Sequence, residues 1–216
     1  MDPTIKRWST ERKRKRKTRR GLLTRAAALQ RGIKNLGTWI TRRQTKLAKQ
    51  NTGARALAYA GKFVGKTESP PGSNDAPFLR EWRENLKPRT LDWMKGQPWC
   101  GLGCIAAWYF GAGVRLPDGV VFTPNIVAWA NRGERFTRIK PENARAGDLV
   151  VFNFVGGSSV ADHVGLARGP ARGGVIPTRE ANTVPSNSGS QADGGGWFDR
   201  SRPVGLIAVV ARPKEN

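Results

Sequence analysis

The sequence has 216 residues, 38% of them hydrophobic, with eight tryptophans and eight phenylalanines, which suffices for one globular domain plus an appendage. No apolar run approaches the roughly 18 residues needed to span a bilayer, and two cysteines are too few for a disulfide framework. The basic start MDPTIKRWSTERKRKRK has no apolar stretch behind it, so it does not read as a secretion signal, and synthesis in a cytosol with a reactive thiol is the simpler expectation.

The net charge of +22 is concentrated at one end. Residues 1–55 hold 18 Lys or Arg against Asp2 and Glu11, a net +16. Within them RKRKRKTRR, residues 12–20, is a block of like charge expected to be solvated and mobile unless an anionic partner binds it. From Leu22 the pattern changes. Leu22, Ala26, Leu29, Ile33, Leu36, Ile40 and Leu47 recur at helical spacing and predict an amphipathic cationic helix, which Gly32 and Gly37 each weaken by roughly 1 kcal/mol. Such a helix packs on the domain or on a copy of itself, or meets an anionic wall polymer or membrane surface through residues 6–49, or binds nucleic acid through phosphate attraction alone. Trp8 and Trp39 are too isolated to stack successive bases. The expected organisation is a basic arm over 1–51, part disordered and part amphipathic helix, and a globular domain over 52–216.

Residues 52–66 predict a further helix stopping near Gly65, followed by TESPPGSNDAP as a surface loop. Short helical pieces are expected from Leu79 to Leu86 and from Thr90 to Met94. A buried helix then begins at Cys100 and ends at Gly111 and Gly113, and another covers 124–131 with Pro124 in its first turn. In the second half the period changes. LVVFNF after the turn at Ala146–Asp148, HVGLARG, VIPTREANTV and GLIAVVARP read as strands, with glycine-rich connections at 156–159 and 189–196. Helices first and strands afterwards give an α+β class with an antiparallel sheet.

Within QPWCGLGCIAAW, residues 97–108, Cys100 stands where the helix begins. There it faces unpaired backbone N–H groups and the positive end of the helix dipole, both of which favour the reactive thiolate. The base for such a nucleophile is His163, the one histidine of the chain. Strand alternation puts His163 and Gly165 on one face and Asp162 on the other, so Asp162 is a poor partner for the ring. Glu180 and Asn182 share a face of the following strand, and either can accept the ring N–H if the two strands pair. That is the arrangement of a thiol hydrolase. The bland alternatives are a buried structural cysteine, a packing histidine, Glu180 paired to Arg179 or Arg168, and Asn182 capping a turn.

PWCGLGCIAAW, AGDLVVFNF, DHVGLARG, TREANT and LIAVVARP, in this order over residues 54–213, resemble the CHAP family of cysteine peptidoglycan hydrolases, common in bacteriophage lysins, and KFVGKTESPPGSN is similar to the family's first segment. The resemblance implies a papain-like fold with Cys100 as nucleophile, His163 as base, Glu180 as acidic member and Asn182 as accompanying polar member. The family usually has glycine between the last two, where Ala181 stands here. It also implies cleavage of an amide in peptidoglycan, either N-acetylmuramoyl-L-alanine or a stem-peptide or cross-bridge bond. A phage lysin made in the host cytoplasm and acting at the bacterial wall after release, or carried on a virion, fits the unexported start.

No cofactor and no metal are expected. Cys100, Cys104 and His163 could supply three zinc ligands, but no Cys-x-x-Cys or second histidine supports that site. Some members of the resembled family bind calcium through carboxylates close before the cysteine, but here only Asp92 is nearby, so no calcium site is expected. Gln97 could help bind an oxyanion, with a solvent-facing turn residue as its plainer reading, and Cys104 is read as packing. The rival class is a non-enzymatic nucleic-acid-binding or virion structural protein built on a hydrolase-like scaffold.

Overall fold

The computed structural model describes residues 3–154, 161–186 and 188–214. The chain divides into two compact units, Met1–Ala48 and Lys49–Asn216. The first is occupied by helix α1, Pro3–Gly61, whose last turns belong to the second unit. Nearly every described side chain between residues 11 and 40 is exposed. The basic block, expected to be mobile, is therefore helical throughout. Unbranched Lys and Arg side chains lose little rotamer freedom in a helix and splay their charges into water, and the Thr18, Thr24 and Thr38 hydroxyls donate back to the carbonyls of Arg14, Arg20 and Lys34.

The second unit is α+β. Besides the end of α1 it contains helices α2, Pro77–Asn85, α3, Cys100–Ala106, and α4, Thr123–Arg132. Six strands follow: β1, Phe136–Ile139; β2, Leu149–Phe152; β3, His163–Ala167; β4, Val175–Thr183; β5, Gly196–Pro203; and β6, Ile207–Pro213. They form one antiparallel sheet in the order β1-β6-β2-β3-β4-β5. β2 and β3 are buried along their whole length, as their unbroken apolar runs require.

Helix α3 lies on β3 and β4, and small residues let it come close. A Cβ on Gly103 would stand 2.6 Å from the Ala181 Cβ and from the Trp197 ring, and one on Gly101 would stand 2.5 Å from the Val120 carbonyl oxygen. Ala181, where the resemblance leads one to expect glycine, is thus accommodated by Gly103 across the interface. The helix continues as a wider turn over Ala107–Ala112 and stops at Gly113, whose φ of 73° lies in the left-handed region. Phe63, Trp82, Trp99 and Trp197 surround the start of α3, with the rings of Phe63 and Trp82 edge to face at 4.7 Å. Buried aromatic contacts of this kind fix the position of the helix they surround.

Four departures from the sequence pattern have physical causes. The helix expected to reach Gly65 ends at Gly61 and turns to Gly65, whose φ is 85°. Strand β1 was hidden because four residues with one buried position carry too little alternation to read. Strand β5 was hidden because Arg200 and Arg202, which sequence reasoning places in water, point into the protein and are buried. In the 67–76 loop, expected at the surface, Glu68 is buried because its carboxylate accepts a 2.8 Å hydrogen bond from the Trp99 indole. The 156–159 connection lies outside the described residues.

Candidate active site

Antiparallel pairing of β3 with β4 creates the site. The register sets Gly165 opposite Glu180, so Glu180 lies diagonally across from His163. His163 Nε2 and Glu180 Oε2 are 3.2 Å apart, and both side chains are fully buried. Gly165 is what permits this approach, because a Cβ there would come within 2.5 Å of Glu180 Cγ. The glycine of His-Val-Gly is therefore a spatial requirement. Gly165→Ala is expected to push Glu180 off the ring and so to lower the titration midpoint of His163, read from its imidazole resonances.

Glu180 is held from behind by a residue absent from the sequence-based reading. Arg202 on β5 donates through Nε to Oε1 at 2.9 Å and through Nη2 to Oε2 at 2.6 Å, and the Thr178 hydroxyl donates to Oε1. The Arg202 guanidinium also lies 4.8 Å from the centre of the Phe154 ring, which packs 5.6 Å from the His163 ring. Two arginines spaced two apart in DRSRP were the only sequence signal, and it looks the same as solvated charge.

Cys100 is the first residue of α3, with Trp99 as its N-cap, and it retains 4% exposure. Its thiol interacts with the His163 ring, although His163 Nδ1 makes no hydrogen bond of good geometry. Burial alone would discharge the imidazole. The neighbouring Cys100 sulfur and the hydrogen-bonded Glu180 carboxylate outweigh burial and raise His163 from 6.5 to about 9. Burial likewise pushes the Glu180 carboxyl up, and His163 and Arg202 overcome it and bring it from 4.5 to about 2. Burial, then the neighbouring Cys100 and Glu180, push the Cys104 thiol well above its ordinary 9.0. Cys104 is buried at 1% exposure and packs in the core as a neutral thiol, and both cysteines are free.

Asn182 does not join this group, which corrects the expectation that it shares a face with Glu180. An unbroken register would set it opposite His163, but Asn182 has a φ of 57° and the pairing of β4 with β5 shifts between Glu180 and Thr183. Its amide instead donates to Asp193 at 3.1 Å and accepts from the Gly195 N–H at 3.3 Å. No hydrogen bond joins it to His163 among the described residues. Asn182 pins the loop that leads back into β5. Asn182→Ala is expected to cost about 1–2 kcal/mol in a thermal melt, from left-handed strain and two lost bonds.

Asp162 accepts from the Phe154 N–H at 2.8 Å and leaves the ring to Glu180, as alternation requires. Gln97 is exposed. Among the described residues no three His, Cys, Asp or Glu side chains are grouped to hold a metal ion, and no helix is long and apolar enough to cross a membrane.

No family model matches the sequence, and no curated protein matches it. Among solved structures, the fold is similar to that of a wild-type endolysin, LysIME-EF1, at 17% sequence identity and a TM-score of 0.45 over 74% of this chain. The aligned chain spans 63% of that endolysin.

Proposed function

We propose that this chain is a cysteine peptidoglycan hydrolase of the CHAP type, acting on an amide bond of the bacterial wall as a phage lysin. The observation that carries the reading is the buried row Cys100, His163, Glu180, with the single histidine of the chain between a thiol and an ionised carboxylate. The order of the motifs around those residues supports it independently.

In this reading Glu180 holds the Nε2 proton and leaves Nδ1 for exchange with sulfur. The Cys100 thiolate attacks the amide carbonyl, and the His163 imidazolium gives its proton to the departing amine as the C–N bond breaks. Water then attacks the thioester with His163 as base, which releases the carboxylate and restores the thiol. Arg202 is a positioning residue, since it keeps Glu180 charged and in place without meeting the substrate. The bond is N-acetylmuramoyl-L-alanine or a peptide bond of the stem or cross-bridge, and the basic arm holds the enzyme near the anionic cell envelope.

The test is digestion of purified peptidoglycan by the intact chain, with new amino groups and new reducing sugar ends measured together and products identified by mass spectrometry. New amines without reducing ends are expected. Reducing ends, or no product under conditions where the protein is folded, would overturn the proposal.

A further inference from the structure

Helix α1 carries a feature that amide hydrolysis does not use. Leu22, Leu29, Ile33, Leu36 and Ile40, spaced seven, four, three and four residues apart, share one face and are 41–67% exposed, with Arg25 between the first two and Trp39 at the edge of the stripe 56% exposed. A run of large apolar side chains this exposed on one helix face marks an interaction surface. Arg20, Arg31, Lys34 and Arg42 occupy the opposite face, also exposed, and Arg12, Arg14, Arg16, Lys17 and Arg19 precede the stripe. No acidic residue occurs between Glu11 and Glu68.

We infer that residues 12–42 are a docking helix for an anionic phospholipid surface, lying flat with the Leu22–Ile40 stripe in the acyl boundary and the arginines and lysines among the headgroups. The inference stands on the arm alone and does not depend on the hydrolase reading. Three occupants are chemically distinct. A nucleic acid or an anionic wall polymer answers the charge but leaves five large apolar side chains in water. A second copy covers the stripe but sets two polycationic segments side by side, with no acidic residue between 12 and 42 on either to offset them. An anionic bilayer supplies apolar depth and negative charge in the same plane, the combination an interfacial helix requires. The helix is too polar to insert across the membrane, so it lies along it.

The experiment is co-sedimentation of the full-length protein with vesicles of phosphatidylcholine alone and of phosphatidylcholine mixed with phosphatidylglycerol. It is run at low salt and at about 0.5 M salt, where charge is screened within a few ångströms. Binding to the mixed vesicles is expected to exceed binding to the neutral ones by about a hundredfold and to fall steeply with salt. The double substitution Leu29→Gln with Ile33→Gln, at exposed positions, is expected to weaken it by about tenfold. Helicity by circular dichroism is measured on that variant, and the pair Arg31→Gln with Lys34→Gln is tested beside it should the first lose helix. Undiminished binding by a folded Leu29→Gln, Ile33→Gln protein would mean that charge alone acts and would overturn the inference. So would equal binding to both vesicles, no binding to either, or self-association in solution that those two substitutions abolish.

Discussion

Glu180→Gln is expected to lower hydrolysis of peptidoglycan by about 10³- to 10⁴-fold, the loss seen when the residue orienting a catalytic histidine keeps its shape but not its charge. The carboxylate has two tasks. It accepts from His163 Nε2, which holds the ring in place, and it neutralises Arg202 at 2.6 Å in a pocket where both side chains are at most 5% exposed. A glutamine of the same size presents an oxygen to only one of these partners and brings no charge to either. Arg202 is then a buried cation without a counter-ion, an arrangement that costs about 3–5 kcal/mol, so the melting temperature should fall with the rate. The two effects separate in a double-mutant cycle with Arg202→Met. If Arg202 acts only by holding Glu180, the rate lost in the double variant equals that of Glu180→Gln, while part of the stability returns because the unpaired cation has gone. A Glu180→Gln protein that digests the wall as fast as its parent would remove Glu180 from the mechanism.

How far the sequence discloses this site depends on how local the information is. Cys100 and His163 were legible because each sits in a short motif whose glycines have a spatial reason: Gly103 admits Ala181 and Trp197, and Gly165 admits Glu180. The α+β order and strands β2, β3 and β6 were legible because buried strands are rich in Val, Leu, Ile and Phe, whereas β4, VIPTREANT, opens on only two such residues. Asn182 misled because strict alternation assumes an unbroken ladder, and one left-handed residue ends it. Arg202 and Glu68 were illegible for a different reason. Their burial depends on partners far along the chain, Glu180 for one and Trp99 for the other, and a charged residue beside Ser or Pro reads as surface until the partner is known. Long-range ion pairing is the part of a site that local pattern does not encode.

Cys100→Ala is expected to abolish hydrolysis and, in the same protein, to lower the titration midpoint of His163. The measurement is unusually clean because the chain has one histidine, so one set of imidazole resonances reports the site. In the parent the ring should hold its proton until about pH 9. Removing sulfur removes one of the two partners that raise this value and leaves Glu180 alone against burial, so the midpoint must fall toward its ordinary 6.5. Because folding raises the affinity of His163 for its proton, the stabilisation is complete below about pH 6.5 and is lost as pH rises through about 9. Folding lowers that of Glu180, so its contribution is complete above about pH 4.5 and is lost as pH falls through about 2. Parent stability should therefore be greatest between about pH 4.5 and 6.5, with the alkaline limb moved to lower pH in Cys100→Ala. Hydrolysis by the parent should decline as pH rises through about 9, where the imidazolium that protonates the leaving amine is used up. An unchanged His163 midpoint in Cys100→Ala would mean that thiol and ring do not share a proton, and the nucleophile would have to be sought elsewhere.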